Sequence, residues 1–226
     1  MLKKLGVIGG MGPEATSFYY ARVIARTKAE SDQEHINMII LSHATMPDRT
    51  QAILTGNKLP FLKAITQDAR DLEMLGVENI AIPCNTSHYF LEDIQKSTSV
   101  PIINMVEESV RYVVEAHPKV KKIGIMGTDG TMQAKTYHRA VVPGEACQKD
   151  VMSLIYDDIK KGKPGDKNKF DRAYNDLKAK GCDAVILACT EISVFKEYYQ
   201  VPADCMDAMD VLVRESIIRS GAEYRE

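Results

Sequence analysis

Residues 71–84 read DLEMLGVENIAIPC, and residues 176–189 read DLKAKGCDAVILAC. The two stretches share an aspartate, a leucine, a glycine and a final cysteine at matching positions, with one offset between them (189 − 84 = 105). A second repeat keeps the same order, since KLGVIGGMG at residues 4–12 resembles KIGIMGTDG at residues 122–130. Ordered internal similarity of this kind predicts two structurally related halves.

The pattern along the chain is typical of an α/β protein. Short β-branched runs alternate with longer amphipathic stretches, as in βαβ units with a parallel sheet. We therefore predict two similar Rossmann-like parallel-sheet α/β domains related by a pseudo-two-fold axis. Residues 1–103 plus 208–226 are predicted to form the domain that carries Cys84, and residues 104–207 the domain that carries Cys189. The last helix, Ala208–Ser220, is predicted to return to the first domain.

The individual elements follow from the same pattern. The predicted strands are Leu5–Gly9, Ile36–Leu41, Asn79–Pro83, Pro101–Ile103, Lys122–Gly127, Ala184–Ala188 and Ala203–Met206. The predicted helices begin near Pro13, Pro60, Val106, Thr131, Val151, Asp166 and Ala208. Gly76 and Gly181 fit the position just after a helix end, where glycine is favoured.

Composition excludes several classes of function. The chain has 226 residues, of which 27% are charged, and its net charge of −2 gives no long-range attraction to nucleic acid or to anionic membranes. We expect no transmembrane helix, since no run of about 18 apolar residues occurs, and the first residues show no signal-peptide pattern. Five cysteines without a CxxC pair indicate free thiols, which favours the cytoplasm.

Cys84 and Cys189 are the leading candidates for chemistry. Each follows an apolar run, so each is expected at the carboxyl end of a parallel strand, where α/β proteins bind ligands. Asn85-Thr86-Ser87 and Thr190 follow them and are residue types that open helices, whose N-terminal N–H groups favour a thiolate or a carboxylate. A lone cysteine at such a place is more often a small core residue, but a matched pair favours function. The other three cysteines, Cys147, Cys182 and Cys205, lack this context.

Two turns supply further candidates. The turn GGMGPE at Gly9–Glu14 partly matches a nucleotide-binding fingerprint but lacks the acidic residue after the next strand, so we interpret it as a helix N-terminus open to a small anion. Arg49, in MPDR, offers a guanidinium that fits a carboxylate, although a surface ion pair with Asp48 explains it equally well.

Two other side chains leave alternatives open. His88 either orients the Cys84 thiol or is a buried structural histidine. Lys160, at the end of a helix predicted over Leu154–Lys161, is on its own a solvated lysine. The histidines and cysteines show no spacing typical of a metal site, so we expect no metal.

Four motifs together resemble one family. GGMGP at the first turn, MPDR after the second strand, PCNTSH at Cys84 and ACTEI at Cys189 are similar to the motifs of the aspartate racemases, within the cofactor-independent aspartate/glutamate racemase superfamily. The resemblance spans the whole chain. It implies two α/β domains with the site between them, a homodimer, and catalysis without a cofactor.

The resemblance also implies roles for single residues. Cys84 and Cys189 match the catalytic acid/base thiols, and the substrate-binding positions correspond to Met11, Arg49, Asn85, Thr86, Lys160 and Thr190. The alignment at Lys160 allows a shift to Lys161. Glutamate racemases carry an aspartate–serine pair and a histidine where this chain has Gly10-Met11 and Glu191, so the departures favour the aspartate branch.

The predicted function is therefore a PLP-independent racemase that interconverts L- and D-aspartate. One cysteine thiolate would remove the α-proton, and the other cysteine thiol would return a proton from the opposite side. The expected partner is a small acidic amino acid, with no nucleic acid and no membrane. Two alternatives remain open. The first is another racemase of the superfamily, either a broad-specificity aspartate/glutamate racemase or one with another substrate. The second is a non-catalytic module that binds an acidic amino acid.

Overall fold

The protein is built on two parallel three-stranded sheets that follow one another along the chain. The structure is a computed structural model that describes residues 2–226. The first sheet has the order β2-β1-β3 and the second the order β4-β5-β6. The strands are β1 (Leu5–Gly9), β2 (Met38–Ser42), β3 (Asn79–Ala81), β4 (Ile123–Gly127), β5 (Ala184–Ala188) and β6 (Cys205–Asp207). The predicted α/β class is confirmed.

Helices connect the strands and cover the sheets. The α-helices are α1 (Pro13–Arg26), α2 (Arg49–Thr55), α3 (Leu59–Met74), α4 (Leu91–Gln95), α5 (Met105–Ala116), α6 (Asp129–Gln133), α7 (Glu145–Ser153), α8 (Lys167–Ala179), α9 (Thr190–Tyr198) and α10 (Ala208–Arg219). Short 3₁₀ turns lie at Asp32–Glu34, Asn85–Phe90 and Ile159–Lys161, and a π-helical turn lies at Leu154–Asp158. Of the helices within residues 2–226, none combines the length and apolar character that crossing a membrane requires.

The internal repeat appears in the structure as one strand register used twice. Leu5 of β1 lies opposite Asn79 of β3, and Ile123 of β4 lies opposite Ala184 of β5. These are equivalent residues in the repeat, because Leu5 aligns with Ile123 and Asn79 aligns with Ala184. The strands that precede the two cysteines therefore pair with β1 and β4 in the same register, although β3 lies at the edge of its sheet and β5 at the centre of its own.

Two glycines at equivalent strand positions, Gly6 and Gly124, lie against the helices packed on the sheets. A Cβ at Gly6 of β1 would lie 3.0 Å from the Leu72 side chain of α3, and a Cβ at Gly124 of β4 would lie 3.1 Å from Leu177 of α8. Glycine at these positions lets each helix approach its sheet closely, as strand glycines do. In each half, the leucine of the first repeat (Leu72 or Leu177) thus packs on the glycine of the second repeat (Gly6 or Gly124).

The ends of these two helices are also alike. Gly76 and Gly181 adopt φ angles of 71° and 81°, which is the left-handed conformation expected after a helix end. The N–H of the next residue donates back to the carbonyl of Leu72 in one half and of Leu177 in the other. Both predicted glycine positions are confirmed, and each cap turns the chain directly into a cysteine-bearing strand.

The last helix, α10, packs against both halves. It contacts α1 and β3 of the first half, and also α5, α9 and β5, which lie within residues 104–207. Within this packing the fully buried Tyr19 donates its hydroxyl to Ser216 at 2.6 Å, and the Asn79 side chain donates to the Arg219 carbonyl at 3.1 Å. The return of the last helix to the first domain, and the division at 1–103 plus 208–226, stay predictions.

The bounds of β2, β3, β4 and β6 differ from the predicted ones by one or two residues, and α2 and α4 were not predicted. Three predicted elements are wrong in type or in starting point. The strand predicted at Pro101–Ile103 is reduced to one bridge between Ile80 and Ile102. The helix predicted near Val151 begins at Glu145, since Gly144 starts it with an N–H bonded to the Asp176 carboxylate at 2.7 Å. The helix predicted over Leu154–Lys161 is instead a wide π-helical turn followed by a tight 3₁₀ turn.

A pair of glycine substitutions tests how tightly the first turn packs. Gly10 has φ +86°, and a Cβ there would lie 2.5 Å from the His43 backbone. Gly56 has φ +73°, and no atom of the described residues lies within 4 Å of its added Cβ. Gly56→Ala should cost about 1–2 kcal/mol of unfolding free energy, the backbone strain alone, whereas Gly10→Ala should cost clearly more. Urea unfolding of both variants measures the difference, and equal losses would contradict the close packing.

Candidate active site

The two cysteines line one narrow crevice between the carboxyl ends of the two sheets. Cys84 follows β3 and Cys189 follows β5, and each thiol-bearing residue is only 5% exposed. All eight predicted site residues line this crevice: Met11, Arg49, Cys84, Asn85, Thr86, Lys160, Cys189 and Thr190. Its remaining lining residues, which the sequence did not suggest, are Thr50, Thr128, Tyr156 and Glu191.

The crevice is nearly closed. Its free volume is about 10 Å³, which is room for about one water molecule. A larger cavity of about 270 Å³ adjoins it on the side of the first glycine turn. Met11, Arg49, Lys160 and Glu191 line both spaces. These four side chains therefore form the boundary between an outer cavity and the space that contains the thiols.

His88 holds the backbone around Cys84. The Met105 N–H donates to His88 Nε2 at 3.1 Å, so Nδ1 carries the proton and donates to the Cys84 carbonyl at 2.9 Å. Burial lowers the pKa of His88, which keeps the ring neutral. The contacts favour the structural alternative for His88: it fixes the main chain at Cys84 and the start of α5.

Asn85 and Thr86 connect the two halves. Tyr137 donates its hydroxyl to Asn85 Oδ1 at 2.6 Å, and the Thr86 and Thr128 hydroxyls lie 2.9 Å apart. Asn85 is 2% exposed, and its Nδ2 finds no partner among the residues that the structure describes. A buried donor without an acceptor is costly, so this amide group favours a ligand with an acceptor oxygen in the crevice.

Arg49 is a second buried donor. Its side chain reaches the carbonyls of Pro47 at 3.3 Å and Met11 at 3.4 Å, while within residues 2–226 its Nε has no partner. Asp48 caps α2 through the Gln51 N–H at 2.8 Å. Burial opposes the charge of Arg49, but the adjacent Cys84, together with Asp48, raises the pKa of the guanidinium. Arg49 is thus a buried cation beside a thiol, and the surface ion pair considered above is not what the structure shows.

Cys189 has the opposite surroundings. Its thiol donates to Glu191 Oε2 at 2.9 Å, and Lys160 Nζ lies 2.6 Å from Glu191 Oε1. Burial and the Glu191 carboxylate raise the pKa of Cys189 well above its ordinary value. Burial opposes the charge of Glu191 as well, yet Lys160 and the thiol hydrogen bond outweigh it and lower the Glu191 pKa. The arrangement therefore favours a Cys189 thiol, a Glu191 carboxylate and a Lys160 ammonium group.

Lys160 reaches the crevice because the chain before it is irregular. It follows the π-helical turn, and its ammonium lies 5.4 Å from the centre of the Tyr156 ring. Burial opposes its charge, but Glu191 and Cys189 raise its pKa to about 12. Lys161 points outward and pairs with the exposed Asp157 at 2.9 Å. Of the two lysines that the sequence left open, Lys160 is the one at the crevice.

Tyr156 and Glu191 are the main residues that the sequence analysis missed. The Tyr156 hydroxyl contacts Asp48 and Thr50 across the crevice at 3.2 Å each, and burial raises its pKa to about 12. Glu191 had a usable signal, since it lies two residues after Cys189 in the first turn of α9. Tyr156 had none, because a π-helical turn leaves no periodic pattern. No group of three potential metal ligands occurs within residues 2–226.

Comparison with known proteins identifies similar sequences and a shared fold. The family model described as Asp/Glu/Hydantoin racemase matches residues 8–216. The chain is 29% identical to the broad specificity amino-acid racemase RacX of Bacillus subtilis, over 94% of this chain and 96% of that protein. The aspartate racemase of Picrophilus torridus superposes with a TM-score of 0.82 at 25% identity, over 98% of this chain and 96% of that one. Glutamate racemase from Thermus thermophilus shares the fold, with a TM-score of 0.64 at 21% identity, over 94% and 78% of the two chains.

The buried His88 predicts a pH dependence of stability. Since its pKa is lowered in the folded protein, the unfolded chain binds the proton first as the pH falls through about 6.5. The unfolding free energy should therefore fall below that pH, by at most about 1.4 kcal/mol per pH unit for this one group. Urea unfolding between pH 5.5 and 7.5 should show this slope and its loss in His88→Gln. The exposed His117→Gln should keep it; a slope unchanged in His88→Gln would contradict the assignment.

The contrasting neighbours of the two thiols predict unequal reactivity. Both cysteines are equally buried, so access does not separate them. Iodoacetamide at pH 7 should modify Cys189 at least about tenfold more slowly than Cys84, because burial and Glu191 raise the pKa of Cys189 well above its ordinary value and each pKa unit lowers the thiolate fraction about tenfold. Glu191→Gln should speed the Cys189 reaction. Peptide mass spectrometry measures both rates, with the buried Cys182 as an internal reference; faster labelling of Cys189 in the unaltered protein would contradict this assignment.

Proposed function

The chain belongs to the Asp/Glu/hydantoin racemase family, whose members are isomerases, and we propose that it is a cofactor-independent racemase that interconverts L- and D-aspartate. The observation that carries the proposal is the pair of cysteines, Cys84 and Cys189, at equivalent strand ends and in the lining of one crevice. A reaction that removes a proton from one face of a carbon and returns one to the other needs two such groups.

The proposed chemistry moves one proton off Cα and another onto it. A cysteine thiolate takes the α-proton and becomes a thiol, and the bonding electrons remain on the substrate as a carbanion. The opposite thiol then gives its proton to the other face of Cα and becomes a thiolate. The reverse reaction exchanges the two roles, so both cysteines must work as acid and as base.

The charges next to the thiols support a starting state for this cycle. Arg49 lies beside Cys84, and a neighbouring cation stabilises a thiolate. The Cys189 thiol donates a hydrogen bond to Glu191 Oε2. We therefore propose that Cys84 is the first base and that Cys189 is the first acid.

Buried donors support the binding of an amino-acid carboxylate. Arg49 Nε and Asn85 Nδ2 are without partners within the described part of the chain, and both residues line the crevice. The first turn of α9, which begins at Thr190, adds backbone N–H groups that favour an anion. The same donors would stabilise the carbanion, and exclusion of water from so small a space strengthens each of these interactions.

Lys160 and one of the relatives support aspartate as the substrate. Lys160 provides a cation for a side-chain carboxylate, and the Picrophilus relative of similar fold is an aspartate racemase. Broad specificity is the second candidate, because the Bacillus relative at 29% identity is a broad specificity amino-acid racemase. We also propose, from the family resemblance, that the protein is a homodimer, which sedimentation equilibrium tests. From its five free thiols we propose that it is cytoplasmic.

Proton NMR in D₂O tests the proposed reaction directly. The enzyme is incubated without pyridoxal phosphate with L-aspartate, and in parallel with L-glutamate and L-alanine, while the α-proton signal and the optical rotation are followed. Loss of both signals for aspartate is expected, because each racemisation event brings in a solvent deuteron. Faster reaction of alanine or glutamate would favour the broad-specificity alternative. Ligand-induced thermal stabilisation without exchange would favour the binding module.

Single cysteine substitutions test the two-thiol scheme. Cys84→Ala and Cys189→Ala should each lower the racemisation rate by about 10³-fold or more, since each removes one acid/base group. Each variant should still exchange the α-proton of one enantiomer, because one thiol remains to remove it and return a deuteron to the same face. Cys147→Ala, a partly exposed cysteine outside the crevice, is the control with unchanged rate. Racemisation at the unaltered rate in either crevice variant would rule out the scheme.

A further inference from the structure

The ion pair between Lys160 and Glu191 closes the crevice. Lys160 Nζ lies 2.6 Å from Glu191 Oε1, and their side chains are 23% and 7% exposed. Both residues line the inner crevice and the outer cavity, so the pair stands at the boundary between the two. In the proposed scheme Glu191 accepts the hydrogen bond of the Cys189 thiol through Oε2, while its Oε1 is paired with Lys160.

We propose that Glu191 is a resident counter-anion, which holds Lys160 in the empty enzyme and releases it to the side-chain carboxylate of a substrate. A dicarboxylic amino acid then opens the crevice, and a monocarboxylic one does not. The inference deepens the proposed function and rests on it for the identity of the site, because it names the group that selects the substrate class.

The crevice is too small for an acidic amino acid. A free volume of about 10 Å³ between the thiols accommodates about one water molecule, whereas an acidic amino acid is several times larger. A boundary side chain must therefore move before the α-carbon can lie between Cys84 and Cys189. Lys160 follows a π-helical turn and precedes Gly162, which has φ +73°. It is carried by the most irregular segment of the crevice wall.

The two cations of the crevice, Arg49 and Lys160, differ in whether a carboxylate already pairs with them. Arg49 is in no ion pair with a carboxylate of the described residues, and its Nε is free. Lys160 is already paired with Glu191. The first carboxylate of a ligand can thus bind Arg49 without displacing anything. A second carboxylate has to compete with Glu191 for Lys160.

Breaking the Lys160–Glu191 pair costs free energy. Separating a buried ion pair is strongly unfavourable when one charge is left without a partner. A neutral side chain offers Lys160 no replacement charge, so it leaves the ammonium group unpaired. A carboxylate side chain restores the charge balance on Lys160. Glu191 keeps one partner after the exchange, because its other oxygen accepts from the Cys189 thiol at 2.9 Å.

Isothermal titration calorimetry with succinate and propionate tests the proposal. Succinate carries two carboxylates and propionate carries one, and neither has an amino group to react, so the result does not depend on turnover. Glu191→Gln should bind succinate about tenfold more tightly or better, because Lys160 is then free in most molecules. Its affinity for propionate should change little. Lys160→Met should remove the preference for succinate.

A double variant separates displacement from simple repulsion. If Glu191 acts by occupying Lys160, adding Glu191→Gln to Lys160→Met should give no further gain in succinate affinity. A gain that persists without Lys160 would overturn the proposal, since Glu191 would then only repel anions. An unchanged succinate affinity in Glu191→Gln alone would overturn it as well.

Two further variants complete the design. Glu197→Gln makes the same substitution on the same helix, in a carboxylate that pairs with Arg22 away from the crevice, and should leave both affinities unchanged. Glu191→Asp keeps the charge on a shorter side chain and guards against poor folding of the glutamine variant. It should tighten succinate binding to an intermediate degree. If aspartate is not racemised but succinate behaves as described, the proposed reaction fails while the role of Glu191 stands.

Discussion

The position of both thiols depends on the pairing of β3 with β1 and of β5 with β4, which is made in the same register in the two halves. Gly6 and Gly124 permit this arrangement, because a side chain at either place would press against the helix packed on the strand. With this register set, Cys189 directly follows the last residue of β5, and Cys84 follows β3 by three residues. A shift of one residue in either strand would turn the cysteine-bearing end to the other face.

Symmetry of the backbone is combined with asymmetry of charge. Cys84 has the cation Arg49 beside it, whereas Cys189 has the anion Glu191 and, one step further, Lys160. Two cations, Arg49 and Lys160, and one anion, Glu191, line the crevice. Leaving a buried ion without a partner costs a large free energy. One ligand carboxylate can therefore pair with Arg49, whereas a second carboxylate has to replace Glu191 at Lys160.

Much of this arrangement could be predicted from the sequence, and particular residues show where prediction ended. Apolar runs and glycine caps identified β1 and β5 to the residue, and the repeat located both cysteines at strand ends. Pro101–Ile103 was wrong as a strand, since one bridge to Ile80 is all that forms there. The role of Glu191 depends on contact with Lys160, 31 residues away along the chain. Such a contact leaves no trace in local pattern, and neither does the π-helical turn that places Tyr156.

The closed crevice and the irregular segment 154–161 belong to one physical problem. An α-proton is a very weak acid, so the donors around it must act where water is excluded and the effective dielectric constant is low. The same exclusion leaves no room for the substrate. A regular α-helix over residues 154–161 would hold Lys160 rigidly against Glu191. The π-helical turn and the 3₁₀ turn found there have weaker internal hydrogen bonding. The segment that seals the thiols from water is therefore also the one best able to yield when a carboxylate arrives.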